Sequence, residues 1–173
     1  TLSEKPTIGI VGGCGFLGNA LAMFLREEFN VKALDKRKPS YDLKGVDYQP
    51  CDINRCDELR EALKDVDLAI NAAIVQIPEI NRNPRLAYET NVTGTKNICE
   101  IIDTIPTTKG MILPGSWHTI GEKDLAGRID EEFGFRPDKV EDRARLYALS
   151  KICQESIVRF HDEMSEKIFG IIR

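Results

Sequence analysis

Apolar residues in this chain gather in short runs, and between the runs they recur every three or four positions. The runs at residues 8–11, 31–34, 67–73 and 110–116 show no regular polar face, the pattern of strands covered on both sides, and shorter strands are expected at 46–50 and 167–172. The intervening segments, at 20–28, from 52 through 63, at 83–105 and at 147–163, are rich in helix formers. Asn54 is the expected N-cap of the second helix, and Asn83 followed by Pro84 opens the third with a cap and a proline in the first turn. Residues 36–40 and 122–138 are polar and turn-prone and are expected as loops. Strand and helix thus alternate without a repeat or linker. Right-handed crossovers wind such a chain into one doubly wound α/β sheet with helices on both faces, a three-layer domain.

The first run breaks into glycines. Gly12, Gly15 and Gly18 stand at Gly-x-x-Gly-x-x-Gly spacing, with Phe16 and Leu17 between the last two. A buried strand can turn tightly there, let a pyrophosphate approach bare backbone, and start a helix whose N-terminus faces the anion. A glycine triplet alone is equally well explained by an ordinary turn, so the surroundings decide. An apolar strand precedes it, a helical segment follows, and the second run ends in Asp35, at the distance where a partner for a ribose hydroxyl is expected. Together these predict a dinucleotide site. The run at 67–73 ends in Ala72 and Ala73, small enough for a ligand to lie against backbone, and the run at 110–116 delivers Ser116 to the same edge of the sheet.

With 173 residues, 42% of them hydrophobic, the chain is long enough for one domain with a real core. A net charge of -4, spread over mixed-sign helices, excludes nucleic-acid binding by charge. No apolar run is long enough for a membrane span, and residues 1–6 are not followed by the hydrophobic region of a secretory signal, so a cytoplasmic location is expected. Cys14, Cys51, Cys56, Cys99 and Cys153 are odd in number and lack Cys-x-x-Cys spacing, which fits reduced packing residues; Cys14 alone, in the glycine loop near a helix N-terminus, has a setting that can favour oxidation. His118 and His161 are too isolated to suggest a metal site, and no metal is expected.

Four stretches occur in one order: the glycine loop from Gly12 to Gly18, Asn91-Val-Thr-Gly-Thr95, the strand ending at Ser116 with Gly121 beyond, and Tyr147-Ala-Leu-Ser-Lys151. Jointly they resemble the N-terminal half of the extended short-chain dehydrogenases/reductases, the group that contains nucleotide-sugar epimerases and dehydratases. The resemblance covers nearly the whole chain. It implies a Rossmann-type fold, NAD as cofactor, and an oxidoreductase or epimerase acting on a hydroxyl-bearing substrate, a nucleotide sugar above all.

Tyr147 and Lys151 stand four apart, which puts both side chains on one helix face. A free tyrosine has a pKa of about 10, so a nearby ammonium and a cationic nicotinamide must favour its phenolate if it is to act as a base near neutrality. By resemblance Tyr147 takes the proton of a substrate hydroxyl, Lys151 supplies the ammonium and holds the nicotinamide ribose, Ser116 hydrogen-bonds the reacting oxygen, and Tyr147 and Lys151 both count among the cofactor contacts as well. The resemblance likewise places Gly12, Gly15, Phe16 and Leu17 at the pyrophosphate, Asp35, Lys36 and Arg37 around the adenosine ribose, Asp52 and Ile53 at the adenine, and Ala72 and Ala73 along the centre of the dinucleotide. Asn91 either bridges cofactor, substrate and backbone or makes a structural bond inside its helix. Asp35 favours NAD over NADP, whereas Lys36 and Arg37 can offset it.

Departures from the family pattern narrow the reaction. Sugar dehydratases place an Asp-Glu pair after their Ser or Thr, and this chain has Trp117 and His118. That argues against a dehydratase and leaves an epimerase or an alcohol dehydrogenase, with His118 a replacement acid/base or an ordinary loop residue. Ile120 replaces a tyrosine frequent before Gly121, and Ile74 stands where a smaller residue is common, so an unusual substrate pocket is expected. In the family a substrate-binding portion follows the sixth strand, whereas this sequence stops at Arg173; the expectation is a cofactor half, either a fragment or a natural truncation. The rivals are a reductase of small carbonyl or steroid-like compounds and a non-catalytic dinucleotide sensor, which need not keep Ser116, Tyr147 and Lys151. A homodimer is also expected, paired through the helices at 83–105 and 147–163, because Ile98, Ile101, Ile102, Ile152, Ile157 and Val158 exceed what one sheet face requires.

Overall fold

The computed structural model describes residues 5–40 and 42–173; residues 1–4, part of the leading segment considered for a secretory signal, lie outside the described residues. Six strands form one parallel sheet: β1 (Thr7–Val11), β2 (Asn30–Asp35), β3 (Asp47–Pro50), β4 (Leu68–Asn71), β5 (Gly110–Pro114) and β6 (Ile168–Ile172), in the order β3-β2-β1-β4-β5-β6. The order reverses between β1 and β4. Strands on either side of that point are connected across opposite faces, and their C-terminal ends open a crevice.

The pleat sorts the core. Ile8, Ile10 and Val31 point to the face covered by α1 (Phe16–Leu25), where they meet Leu21, Ala22 and Leu25. Val11, Leu34, Met111 and Leu113 belong to the opposite core, which is closed by Leu59 and Leu63 of α2 (Cys56–Leu63), Ile98 and Ile102 of α5 (Gly94–Thr104) and Val158 of α6 (Arg145–Met164). Two short helices, α3 (Glu79–Arg82) and α4 (Pro84–Tyr88), precede α5. Layering is uneven, because Phe169 and Ile171 of β6 pack inward while Ile168 and Ile172 on its other side are exposed. Among the described residues, β6 is therefore covered on one face only.

Three expected details differ. The helix at 83–105 is broken by a π turn at Glu89–Thr93, where the side chain of Asn91 leaves the helix to bond another loop and the Thr95 hydroxyl donates back to the Asn91 carbonyl at 2.7 Å. Asn54 does not cap α2: its N–H is taken by Asp52 Oδ1 at 2.9 Å in a side-chain turn, and Arg55 holds the cap position without a side-chain bond. Finally, Ile98, Ile101, Ile102 and Val158 are buried in the chain's own core, with Ile157 packed at its margin. Most of the apolar crowding offered as a reason for a homodimer is thus consumed inside the chain's own core; Ile152 is half-buried and belongs to none of its core clusters.

Candidate active site

The glycine loop is dictated by close backbone contacts. Gly12 has φ +75°, and a Cβ there would lie 2.6 Å from the Ala73 nitrogen; a Cβ on Gly18 would lie 2.1 Å from the Gly12 carbonyl oxygen. The first glycine therefore lets the loop cross β4, and the third lets α1 begin directly on the loop. Gly15 caps α1 without a side-chain bond, so the first amide N–H groups of the helix keep no partner from a cap. Uncapped N–H groups over bare backbone form an anion cradle, which fits the diphosphate of a dinucleotide.

Asp35 ends β2, nearly buried beside this cradle. Its Oδ2 accepts from the Cys14 N–H at 3.1 Å and its Oδ1 from the Arg37 N–H at 2.9 Å, with the Arg37 Nε 3.6 Å away. The carboxylate thus fastens the glycine loop to β2, a task that spacing did not reveal, and each oxygen keeps a lone pair for a ligand. A cleft of about 550 Å³ opens here, and every cofactor candidate from Gly12 to Ala73 lines it: the glycine loop with Phe16 and Leu17, Asp35 to Arg37, Asp52 with Ile53, and Ala72 with Ala73. Leu86 of α4 and Thr90 of the π turn line it too; sequence reasoning missed both, since neither belongs to a motif.

Asn91 stands behind the cleft wall, not in it. Its amide clamps the loop after β4, accepting from the Val75 N–H at 2.7 Å and donating to the Val75 carbonyl at 3.0 Å and to Ser150 Oγ at 3.1 Å. Below it Thr95 Oγ1 accepts from Asn71 Nδ2 at 3.0 Å and from Gln154 Nε2 at 2.9 Å, a buried polar cluster joining β4, α5 and α6. Asn91→Ala leaves the Val75 backbone groups unpaired and is expected to cost about 2 kcal/mol or more, read as a lower urea midpoint with an unchanged slope.

Ser116, Tyr147 and Lys151 gather at the C-terminal end of β5, adjacent to the cleft but outside its lining. Ser116 caps a short 3-10 turn, Trp117–Ile120, and its Oγ accepts from the His118 N–H at 3.2 Å. Tyr147 lies in the first turn of α6. Lys151, one turn later, is 4% exposed and donates from Nζ to the Pro114 carbonyl at 2.7 Å. Burial pushes the Tyr147 phenol up, and the Ser116 hydroxyl beside it pulls the other way. Burial also lowers the Lys151 ammonium to about 8, against an opposing pull from Glu155. The expected ammonium-assisted drop in the tyrosine pKa is thus absent from this arrangement, because the ammonium is anchored to a carbonyl of β5. The His118 ring stacks on Trp117 at 4.6 Å and meets the Tyr147 ring edge-on at 5.8 Å.

All five cysteines are free, and burial, then the Asp35 charge, raise the Cys14 thiol in spite of its place near a helix start. Among the described residues no cluster of His, Cys, Asp or Glu can hold a metal ion. No helix among them is long and apolar enough to cross a membrane.

Residues 8–172, all but the ends of the chain, match the model of the NAD dependent epimerase/dehydratase family. The chain belongs to that family. Its sheet order and glycine loop are those of a Rossmann fold. The bovine (Bos taurus) sterol-4-alpha-carboxylate 3-dehydrogenase, decarboxylating, is 29% identical over 166 residues, covering 95% of this chain and 44% of the relative. UDP-glucose 4-epimerase of Mycoplasma genitalium is 24% identical over 168 residues, covering 91% of this chain and 48% of the relative. Among solved structures, the UDP-glucose 4-epimerase of Thermus thermophilus in complex with NAD superposes with a TM-score of 0.81 at 20% identity, over 96% of this chain and 54% of that one. This member of the NAD dependent epimerase/dehydratase family therefore spans about half the length of the relatives it matches.

Proposed function

We propose that the chain is the cofactor-binding half of an NAD-dependent epimerase or dehydrogenase acting on a nucleotide sugar. The observation that carries this is the adjacency, on one edge of the sheet, of an anion cradle with a carboxylate beside it and a Ser-Tyr-Lys group at the end of β5. NAD, when bound, supplies a hydride acceptor or donor. The chain's own residues hold and move the proton: Tyr147 Oη takes it from the substrate hydroxyl and Ser116 Oγ hydrogen-bonds the reacting oxygen, while Lys151, anchored on the Pro114 carbonyl, holds the nicotinamide ribose. A non-catalytic sensor does not require this second group of residues.

The nucleotide-sugar choice is supported by UDP-glucose 4-epimerases among both the sequence relatives and the similar structures. A second reading, a dehydrogenase of steroid-like compounds, is favoured by the bovine sterol-4-alpha-carboxylate 3-dehydrogenase at 29% identity. Assaying the full-length enzyme with UDP-hexoses and with 3-hydroxysteroids separates the two.

NAD is expected to bind this chain at least about tenfold more tightly than NADP. A 2′-phosphate brings negative charge against Asp35, which costs about 1 kcal/mol in water and about 4 at the effective dielectric of a protein surface for unit charges ~4 Å apart. Arg37, already beside Asp35 and largely exposed, offsets part of this. Titration with each dinucleotide at matched ionic strength decides: equal or tighter NADP binding rejects the assignment, and Asp35→Ala should weaken NAD and narrow the gap.

A further inference from the structure

Glu155 lies one helical turn beyond Lys151 on α6 and is fully buried. Its two oxygens are used unequally. Oε2 accepts from Arg173 Nη2 at 3.1 Å and Nε at 3.3 Å and lies 4.0 Å from Arg159 Nη2, whereas Oε1 has no hydrogen-bond partner among the described residues. The free oxygen lies against the end of β5, since a Cβ on Gly115 would come within 3.0 Å of it. Gly115 separates Pro114, whose carbonyl holds Lys151 Nζ, from Ser116.

A carboxylate whose task ended with Arg173 would take the guanidinium fork with both oxygens. Here two guanidinium nitrogens converge on one oxygen and leave the other turned toward the strand that anchors Lys151. An unpaired buried carboxylate oxygen is costly, and a compensating charge nearby is what makes it tolerable. We propose that Glu155 is a positioning residue for Lys151: its free oxygen supplies the buried negative charge that keeps the Lys151 ammonium charged at the end of β5, while Arg173 fixes the carboxylate in place.

Among the described residues, the charged groups around the carboxylate are few. Arg173 follows β6, Arg159 and Lys151 come from α6 itself, and the end of β5 contributes only Pro114 and Gly115. The loop before α6 contributes the Phe133 carbonyl, which accepts from Arg173 Nη1 at 3.0 Å, and the Phe135 ring, approached by the guanidiniums of Arg173 and Arg159 at 5.5 and 5.8 Å. Through Arg173, Glu155 is thereby tied to the loop before α6. Among charges, Glu155 is also the group that pulls the buried ammonium back up.

The role rests on Lys151 being a working residue of the proposed enzyme, yet its test needs neither cofactor nor substrate. The lysine 15Nζ and 13Cε resonances of the labelled chain are titrated by NMR, with the Lys151 signal identified by its loss in Lys151→Arg. In Glu155→Gln, which keeps the volume and an acceptor for Arg173, the Lys151 midpoint should fall by about one unit or more below that measured for the wild type. In Arg173→Gln, which removes the competing cation, it should rise. A purely structural role moves neither midpoint. An unchanged midpoint in Glu155→Gln with a native amide spectrum overturns the proposal; should that variant not fold, a midpoint in Arg173→Gln that is unchanged or lowered overturns it instead. Neither outcome bears on whether the cleft binds NAD.

Discussion

Tyr147→Phe in the full-length enzyme is expected to leave NAD affinity within a few-fold of wild type and to lower turnover by at least about a hundredfold. The ring is held by its surroundings, with the first turn of α6 around it and the His118 ring edge-on at 5.8 Å, so phenylalanine fills the same space. Removing the hydroxyl deletes the atom that accepts the substrate proton and leaves Ser116 to stabilise an oxygen that has not lost its hydrogen. The cofactor cleft is untouched, because Tyr147 does not line it. Burial raises the phenol, and no ammonium lowers it while Lys151 is bound to Pro114. The wild-type rate should therefore climb with pH toward the alkaline side, where the phenolate becomes populated, and the variant should lose that limb. Turnover close to wild type, or an unchanged pH profile, would reject Tyr147 as the base.

The sheet was legible because a parallel strand buried on both faces has to be apolar along its whole length, so the segments around Ile10, Leu34 and Leu113 announce themselves without tertiary information. The glycine loop was legible for a similar reason: positive φ at Gly12 and the 2.1 Å approach at Gly18 are demands that only glycine meets, and they leave a trace in the sequence. Other parts depend on partners far along the chain. Asn91 meets Val75 and Ser150, and Thr95 meets Asn71 and Gln154, so nothing local marks these residues as a cluster or shows that the helix must open into a π turn to form it. Arg136 belongs with them. Its guanidinium gathers the carbonyls of Ile120, Gly121 and Lys123 and holds together a loop that reads in sequence as merely polar. The candidate site divides along a similar line: most of the cofactor and catalytic candidates belong to motifs, whereas Leu86 and Thr90 of the cleft lining, the buried Glu155 and its partner Arg173 do not.

Gly18→Ala should abolish tight NAD binding by this chain, raising the dissociation constant by at least about a hundredfold, or about 2.7 kcal/mol. A methyl group there would sit 2.1 Å from the Gly12 carbonyl oxygen, 2.8 Å from the Gly12 carbonyl carbon and 2.9 Å from the Gly13 Cα. These are backbone atoms and cannot rotate away. Gly12 has no room to retreat, since its own Cα carries φ +75° and lies against the Ala72–Ala73 backbone, so the start of α1 must lift off the loop. Lifting by even an ångström carries the uncapped N–H groups of α1 away from the anion they would hold, and such overpacking also costs about 1–3 kcal/mol of stability. Gly134→Ala is the matched control: nothing among the described residues lies within 4 Å of a Cβ at that position, and its φ is not in the left-handed region, so affinity and melting temperature should both stay at wild type. Calorimetric titration with NAD, alongside thermal melts of both variants, separates a displaced cradle from general instability. If Gly18→Ala bound NAD as the control does, the contact between α1 and the glycine loop would not be what shapes the site.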